Sequence, residues 1–254
     1  MRKVSRTRAS VLAAGIAAVS LVTPMAAQAD AAPLHARPAH ARPAHARPAH
    51  VRPLDCTDPA YGPSTVNVGL SSVGKRFDVD ADCSGGLADW SLETSLFYVY
   101  YDEPDYTFNP DDLTDADAGN YDITATTYDS DYNEDDFGGT FTLKRFDTWG
   151  STFNASPEPV KKGATITFYG ELLRANWDLG KYYGYGNGYT HLDFRPAGTP
   201  TFKTVKTFRT STSAVGHIVG LSTKATVSGF WRVYYTGNEF GSAAYSTIDY
   251  VGVT

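Results

Sequence analysis

The fold class of this chain is decided by the stretch Arg76-Phe77-Asp78-Val79-Asp80-Ala81-Asp82. Apolar side chains stand at every second position, and polar side chains stand between them. Because successive side chains of a β-strand point to opposite faces, this pattern predicts a strand with one buried and one solvated face. No stretch with the 3.6-residue period of a helix rises above this strand-like background.

Further strand-like stretches follow along the rest of the chain. Aromatic and β-branched residues recur at period two between turns rich in Gly, Pro, Asn and Asp. These stretches lie at 65–70, 96–101, 121–126, 140–146, 164–170, 190–195, 201–208, 217–219, 231–235 and 245–253. Their number suits two sandwiches of about 100 residues each. The sequence therefore predicts an all-β protein with two immunoglobulin-like β-sandwich modules.

The charge distribution places the boundary between the two modules near residue 147. Residues 55–147 carry 21 acidic and 4 basic side chains, a net of −17, and residues 148–254 carry 6 acidic and 10 basic ones, a net of +4. Such asymmetry is typical of separate modules with different surroundings. We predict an acidic β-sandwich module at 55–147 and an immunoglobulin-like β-sandwich module at 148–254. An acidic module repels nucleic acid and attracts cations and basic partners.

The N-terminus has the three parts of a secretory signal peptide, predicted here as residues 1–31. Four basic residues lie within the first eight positions, an apolar stretch spans 9–22, and small residues of the A-x-A type end the segment. The alternative is an uncleaved membrane anchor, for which the apolar stretch is short. No second apolar run of that length follows, so we expect no transmembrane segment in the mature chain.

A tandem repeat fills residues 32–54. His35-Ala36-Arg37-Pro38-Ala39 recurs from His40 and from His45, and a degraded copy begins at His50. A proline in every five residues without an apolar period predicts a disordered, extended Pro/His/Arg-rich linker. The linker is a basic spacer, a metal scavenger or an adhesive segment for an anionic wall.

Two cysteines, Cys56 and Cys83, follow the linker. In an exported chain an even pair predicts a disulfide, which here would close a loop of 27 residues. A metal-binding or redox pair is the alternative, although C-x-x-C spacing is absent.

Several stretches of the second module are distinctive: Asn154-Ala155-Ser156-Pro157-Glu158-Pro159-Val160-Lys161-Lys162-Gly163, Leu173-Arg174-Ala175-Asn176-Trp177, Tyr183-Gly184-Tyr185, Gly229-Phe230-Trp231-Arg232 and Asp249-Tyr250-Val251. Over roughly 148–254 the chain resembles the C-terminal immunoglobulin-like module of secreted streptomycete proteins, with a weaker echo in 64–147. The resemblance implies export and a sandwich fold, and it brings no enzyme activity with it. Some relatives carry a calcium-binding label. Phe230 stands where the resemblance leads us to expect Tyr.

Two acidic segments are candidate Ca²⁺ sites. Asp78, Asp80 and Asp82, with Asp89 eleven residues after Asp78, match the ligand spacing of a calcium loop, although Cys83 replaces its glycine. The second segment, with Asp129, Asp131, Asn133 and Asp135, copies the first half of such a loop but has Thr140 at the twelfth position. In both cases a solvated acidic surface without an ion is the alternative.

A Tyr- and Gly-rich segment between Trp177 and Tyr189 is the candidate ligand-binding loop. Tyrosine offers a large contact area with a polar tip, and aromatic faces suit sugar rings. We single out Trp177, Tyr183, Tyr185 and Tyr189. The alternative is a connection whose aromatic rings close the end of the sandwich core.

Catalytic patterns are weak. After the linker the only histidines are His191 and His217, and neither lies in a known nucleophile or metal motif. Paired carboxylates are too abundant to single out a glycosidase pair. The sequence therefore favours a secreted, non-enzymatic binding or structural protein of the cell envelope or extracellular space, with a protein or cell-wall polymer as partner. A calcium-binding module is the alternative, and a glycan hydrolase is a third class.

Overall fold

The computed structural model describes residues 56–150, 153–213 and 215–254. The predicted signal peptide at 1–31 and the predicted linker at 32–54 lie outside the described residues. Within the described part of the chain there are twenty β-strands and two short 3₁₀ turns, at Pro110–Asp112 and Asp115–Asp117. The prediction of an all-β fold is confirmed.

The first sandwich is built from nine strands. Its larger sheet has the order β2-β9-β8-β5-β6, and β2 runs parallel to β9 while the other neighbours are antiparallel. Two antiparallel pairs, β1 with β4 and β3 with β7, form the other layer. The strands are β1 (Cys56–Gly62), β2 (Thr65–Val68), β3 (Val73–Arg76), β4 (Asp78–Cys83), β5 (Asp89–Glu93), β6 (Tyr98–Tyr100), β7 (Asp105–Phe108), β8 (Gly119–Tyr128) and β9 (Glu134–Arg145).

Aromatic rings from both layers fill the first core. Phe141 of β9 lies 6.2 Å from the Phe77 ring, 5.0 Å from the Phe97 ring and 5.9 Å from the Phe108 ring, measured between centroids. The alternation predicted for 76–82 is present, because Phe77 and Val79 are buried. Burial of such side chains stabilises the sandwich by about 1.5–3 kcal/mol each.

The second sandwich contains the remaining strands. Its largest sheet has the order β16-β15-β18-β19, with β20 also paired to β18, and a three-stranded sheet has the order β11-β12-β17. A further small sheet has the order β10-β13-β14. The strands are β10 (Asp147–Trp149), β11 (Asn154–Ser156), β12 (Thr165–Tyr169), β13 (Leu172–Asn176), β14 (Lys181–Gly184), β15 (Tyr189–Pro196), β16 (Lys203–Arg209), β17 (Ser222–Lys224), β18 (Gly229–Tyr235), β19 (Ala244–Tyr245) and β20 (Asp249–Val251).

Strand β18 shows how this sandwich divides its side chains. Trp231, Val233 and Tyr235 are buried, and the residues between them are partly exposed. The Trp231 ring lies 5.0 Å from Phe168 on β12 and 4.4 Å from Phe194 on β15, so it joins the two sheets. Period-two burial therefore gives β18 one inward apolar face and one outward face.

The predicted strand at 217–219 is wrong, and the strand of this region is β17 at Ser222–Lys224. Gly216 and Gly220 flank the predicted stretch with φ angles of +86° and +68°. Such left-handed conformations belong to turns, so the chain bends here instead of extending.

Cys56 and Cys83 form the predicted disulfide. They stand opposite each other on the antiparallel strands β1 and β4. The bridge therefore fixes the end of β1 that follows the linker region.

The sheet β10-β13-β14 lies where the two sandwiches meet. Arg174 on β13 forms an ion pair with Asp147 on β10, with 2.7 Å between Nε and Oδ1, and the two side chains are 5% and 0% exposed. Arg174 Nη2 also donates to the Tyr235 hydroxyl at 3.1 Å and to Asn238 Oδ1 at 3.2 Å. We call this buried polar cluster the joint. The module boundary predicted between residues 147 and 148 falls inside strand β10, which spans Asp147–Trp149. It stays a prediction.

Trp177 and Asp115 extend the joint towards the first sandwich. The Asp115 carboxylate pairs with Arg145 at 2.6 Å and accepts the backbone N–H of Trp177 at 2.8 Å. Trp177 and Ala175 belong to the hydrophobic cluster of the first sandwich although they follow its last strand. In the described residues, no helix is long and apolar enough to cross a membrane.

Candidate binding surface

The first candidate calcium segment is an outward row of carboxylates on β4. Asp78, Asp80 and Asp82 are exposed, and they alternate with inward side chains. Residues two apart on a strand are separated by about 6.6–6.8 Å, which spreads the three carboxylates along the strand. Asp89 starts β5 in the opposite layer, where its Oδ1 accepts the N–H of Trp90 at 2.7 Å.

The second candidate calcium segment is the turn of the β8–β9 hairpin. Asp129 Oδ1 accepts the backbone N–H groups of Asp131 and Asn133, each at 2.9 Å, and Oδ2 accepts from Asn133 Nδ2 at 2.8 Å. The Asn133 side chain and these backbone donors hold the pKa of Asp129 below its usual value. Asp129 therefore orders the turn by itself, as Asx side chains do. Asp135 Oδ2 accepts from the Cys56 backbone N–H at 3.3 Å.

Within residues 56–150, 153–213 and 215–254, no three His, Cys, Asp or Glu side chains are grouped so that they could hold a metal ion. The structure thus places Asp78, Asp80 and Asp82 apart from the hairpin turn of Asp129. Calcium binding by either segment stays a prediction.

The Tyr- and Gly-rich segment is a hairpin and not a free loop. Trp177 to Gly180 form the turn between β13 and β14, and Gly180 has a φ of +58°. The Trp177 ring is buried, and its Nε1 donates to the carbonyl oxygens of Val68 at 3.3 Å and Gly69 at 3.0 Å. Trp177 is therefore part of the joint and not accessible to a ligand in this conformation.

Tyr185 also serves the joint. The Arg174 guanidinium lies over its ring, 3.6 Å from the centroid, and Asn238 Nδ2 donates to its hydroxyl at 3.0 Å. Tyr183 and Tyr189 are different, since they are 46% and 43% exposed. Tyr183 carries Lys181 near its ring at 4.8 Å, and Tyr189 begins β15 on the outer face of the largest sheet.

Tyr189 belongs to a continuous set of aromatic and arginine side chains on that outer face. Strand register puts His191 opposite Tyr234, Tyr234 opposite Tyr245, and Arg195 opposite Phe230. Paired residues on neighbouring strands share one face of a sheet. We call this set the aromatic face, and its members are Tyr189, His191, Asp193, Arg195, Phe202, Arg209, Phe230, Arg232, Tyr234, Tyr245 and Tyr250.

The rings of the aromatic face contact one another in sequence across the strands. Centroid distances are 5.2 Å from Tyr189 to His191, 6.0 Å from His191 to Tyr234, and 4.3 Å from Tyr234 to Tyr245. At the other end, Phe230 lies 5.1 Å from the ring of Tyr250. The outer rings Tyr245 and Tyr250 remain 55% and 48% exposed. Single exposed aromatic residues are ordinary, whereas a contiguous set marks an interaction surface.

Arginines link the two ends of the aromatic face. Arg232 lies 4.2 Å from the centroids of both the Tyr245 and Phe202 rings, and Arg195 lies 4.2 Å from that of Phe230. Cation–π contacts of this kind contribute about 0.5–2 kcal/mol each.

Asp193 is the buried anion beneath the aromatic face. Its Oδ2 lies 3.2 Å from Arg232 Nε, and its Oδ1 accepts from the Thr204 hydroxyl at 2.8 Å. The negative charge of Asp193 therefore neutralises one of the three arginines of the aromatic face, which are Arg195, Arg209 and Arg232. The face keeps a net positive charge.

The first sandwich carries the complementary feature, an open acidic cleft of about 650 Å³. It is lined by the aromatic rings Trp90 and Tyr101, by one cation, Arg76, and by the carboxylates Asp78, Asp102, Glu103 and Asp105. Arg76 and Asp105 form an exposed pair at 3.5 Å, which contributes little because water screens it.

The two histidines that follow the linker, His191 and His217, contact side chains that give them no catalytic partner. His191 lies between the rings of Tyr189 and Tyr234, and His217 Nε2 lies 3.7 Å from Glu171 Oε1 on a half-exposed surface. Neither contact forms the nucleophile–base pair that covalent catalysis uses.

Sequence reasoning found one member of the aromatic face, Tyr189, and missed the others. A signal was present in the alternation of β18, where Phe230, Arg232 and Tyr234 occupy the positions between buried residues. Recognising the set requires the register of β15, β18 and β19, which comes from tertiary pairing.

Comparisons with known proteins give similarity of fold alone. No protein-family profile and no curated protein matches the chain. Among solved structures, the N-terminal domains of the Hoc outer capsid protein of bacteriophage RB49 align with a TM-score of 0.30 at 10% identity, over 80% of this chain and 70% of that one. Murine CEACAM1b aligns with a TM-score of 0.30 at 10% identity, over 80% and 99%. A structure from a 1.5-MDa bacterial ice-binding adhesin aligns with a TM-score of 0.28 at 14% identity, over 80% of this chain and 66% of that one.

Proposed function

We propose that this chain is a secreted, non-enzymatic binding protein of the cell envelope or extracellular space, and that the aromatic face is its contact surface. The observation that carries the proposal is the contiguity of that face. Its ring and guanidinium contacts run unbroken from Tyr189 to Tyr245 and from Arg232 to Tyr250 through Phe202, Arg195 and Phe230.

The composition of the aromatic face supports recognition of a partner. Tyr, Phe and Arg are enriched in the centres of interfaces, and Lys, Glu and Asp are depleted there. The lysines of the edge strand β16 do not belong to the face, because Lys203 pairs with the inward Phe194 and Lys206 pairs with the buried Leu192. Inward lysines at a sheet edge oppose strand-to-strand aggregation. This leaves the outer face as the adhesive surface of the sheet.

Rigidity further supports a binding role. The rings stand on hydrogen-bonded strands and are held by one another, so little side-chain entropy remains to be lost on association. Export is supported by the basic, apolar and small-residue parts of 1–31 and by the disulfide of Cys56 and Cys83, since disulfides persist in oxidising compartments.

Co-sedimentation with purified cell wall tests the proposal. The face variant Tyr189→Ser/Tyr245→Ser removes two exposed rings, and the control Tyr132→Ser/Tyr169→Ser removes two comparably exposed rings elsewhere. We expect the face variant to stay folded, with a melting temperature lowered only by the loss of its ring contacts, and to lose at least tenfold in affinity, while the control binds as wild type does. A variant without residues 32–54 shows whether the basic linker contributes. Equal binding by face variant and control would refute the proposed surface.

A further inference from the structure

The partner of the aromatic face has to match a flat, cationic surface. The face carries Arg195, Arg209 and Arg232 against one carboxylate, Asp193, which is 6% exposed and already paired. Arg232 uses Nε for this pair, and its Nη groups make no hydrogen bond to the described residues. Guanidinium N–H groups that remain available bind carboxylates with two parallel hydrogen bonds. A protein surface rich in carboxylates fits these requirements.

Such a surface exists on the first sandwich of the same chain. Six exposed carboxylates, which we call the acidic surface, are Asp78, Asp80 and Asp82 on β4, and Asp102, Glu103 and Asp105 beside the acidic cleft. The rings of Trp90 and Tyr101 line the cleft among these carboxylates. A guanidinium that enters the cleft meets both carboxylates and aromatic faces, which are its two preferred partners.

The two surfaces are both exposed within one copy of the chain, and so each is available to another copy. Tyr245 on the aromatic face is 55% exposed, and Tyr101 in the acidic cleft is 56% exposed. The charge of the two halves agrees with this pairing, at −17 for residues 55–147 and +4 for residues 148–254. Contacts between two acidic surfaces are opposed by like-charge repulsion.

We infer that the aromatic face binds the acidic surface of a second copy of this chain, head to tail. This inference rests on the proposed function and names the partner of that surface. Because the contact joins two different surfaces, it is heterologous, and each addition leaves one surface of each kind free. The chain therefore assembles into open oligomers that grow with concentration and dissociate in high salt.

Sedimentation velocity of the full secreted chain tests the inference through complementation. The face-charge variant Arg195→Gln/Arg209→Gln weakens the aromatic face, and the acidic-surface variant Asp80→Asn/Asp102→Asn weakens the acidic surface; both changes remove charge without reversing it, so the two altered surfaces do not attract each other. We expect wild type to oligomerise with increasing concentration and each variant alone to remain monomeric. An equimolar mixture of the two should form 1:1 dimers and nothing larger, because only one competent contact exists in the mixture.

Matched controls remove the same number of charges elsewhere on each sandwich. Lys161→Gln/Lys162→Gln changes an exposed turn of the second sandwich, and Asp111→Asn/Asp122→Asn changes exposed positions of the first. Both controls should oligomerise as wild type does. Loss of oligomers on deletion of residues 32–54 would mean that the acidic surface binds the basic linker of another copy and not its aromatic face. That result would overturn the inference.

Failure of this inference is distinct from failure of the proposed function. Wild type that stays monomeric, or a mixture that gives no dimer, overturns head-to-tail binding. If the Tyr189→Ser/Tyr245→Ser variant still loses cell-wall binding in that case, the proposed surface stands with a wall component as its partner.

Discussion

Replacement of Arg174 by methionine is the perturbation that most directly tests the buried joint. Methionine keeps much of the apolar stem but leaves the Asp147 carboxylate, which is 0% exposed, without its cation. Two charge-assisted hydrogen bonds are lost, from Nε at 2.7 Å and from Nη2 at 2.9 Å, and the contact with the Tyr185 ring is lost as well. Removing one partner of a buried ion pair destabilises a protein by about 3–5 kcal/mol.

The expected loss is a large share of the total stability, since folded domains are stable by about 5–15 kcal/mol. The double variant Asp147→Leu/Arg174→Met should recover most of it, because the stranded charge is gone. Tyr235 and Asn238 still lose their donor, so the double variant should remain about 1–2 kcal/mol below wild type. Urea denaturation followed by tryptophan fluorescence measures all three proteins, with Trp149 and Trp177 as reporters near the joint.

The Arg174→Met deficit should also depend on pH. Burial raises the pKa of Asp147 in the folded protein, and the attraction of Arg174 opposes that rise. Without Arg174 the folded pKa rises further above the unfolded value of about 3.9. A raised folded pKa means that stability is retained below the unfolded pKa and is lost as pH rises through the folded pKa. The deficit should therefore be small near pH 4 and largest near pH 7. A deficit under about 1 kcal/mol at pH 7, or one that grows in acid, would show that the pair does not hold the joint.

Four further perturbations follow from the structure. Gly241→Ala places a Cβ onto the buried ion pair and should cost about 1–3 kcal/mol in urea denaturation, while Gly74→Ala meets Thr107 Oγ1 only at 3.8 Å and should be near neutral. Cys56→Ser/Cys83→Ser opens a 27-residue loop and should lower the free energy of unfolding by about 3–4 kcal/mol, and an equal stability of reduced and oxidised wild type would contradict this. Asp129→Ala should lower the melting temperature at neutral pH, and because the folded pKa of Asp129 is depressed, that difference should shrink below about pH 4 and be lost as pH falls through the folded pKa. If the chain binds calcium, its melting temperature should rise in millimolar Ca²⁺ and return to the starting value when EDTA is added. An unchanged melting temperature would contradict calcium binding.

The strand content was predictable where apolar and polar residues alternate over a long stretch. Residues 76–82 show this, because their alternation alone identifies Phe77 and Val79 as inward. Short strands such as β5 (Asp89–Glu93) and β10 (Asp147–Trp149) were missed. Both carry Asp at their first position and are only three to five residues long, so local propensity argues against a strand and tertiary pairing overrides it.

The segment from Trp177 to Tyr189 shows why the candidate site was harder to predict than the fold. The composition of this segment does not distinguish a binding loop from a hairpin that is packed at the joint. The outcome depends on Asp115, Arg145 and Val68, whose polar groups satisfy this hairpin from distant parts of the chain. Buried polar groups need such partners, and a single sequence does not reveal which ones they find.

The aromatic face depends in turn on one irregularity in strand pairing. Between Leu192 and Asp193 the register of β15 with β16 shifts. A shift of one residue in a strand exchanges its inward and outward side chains. Asp193 stabilises the observed register from both sides, because its carboxylate accepts from Thr204 on β16 and pairs with Arg232 on β18. The residue skipped by the shift is Val205 on β16, so the shift reverses the faces of the preceding part of that strand. The outward position of Phe202 is therefore set by the pairing that Asp193 stabilises, because the adjacent Lys203 pairs with the inward Phe194.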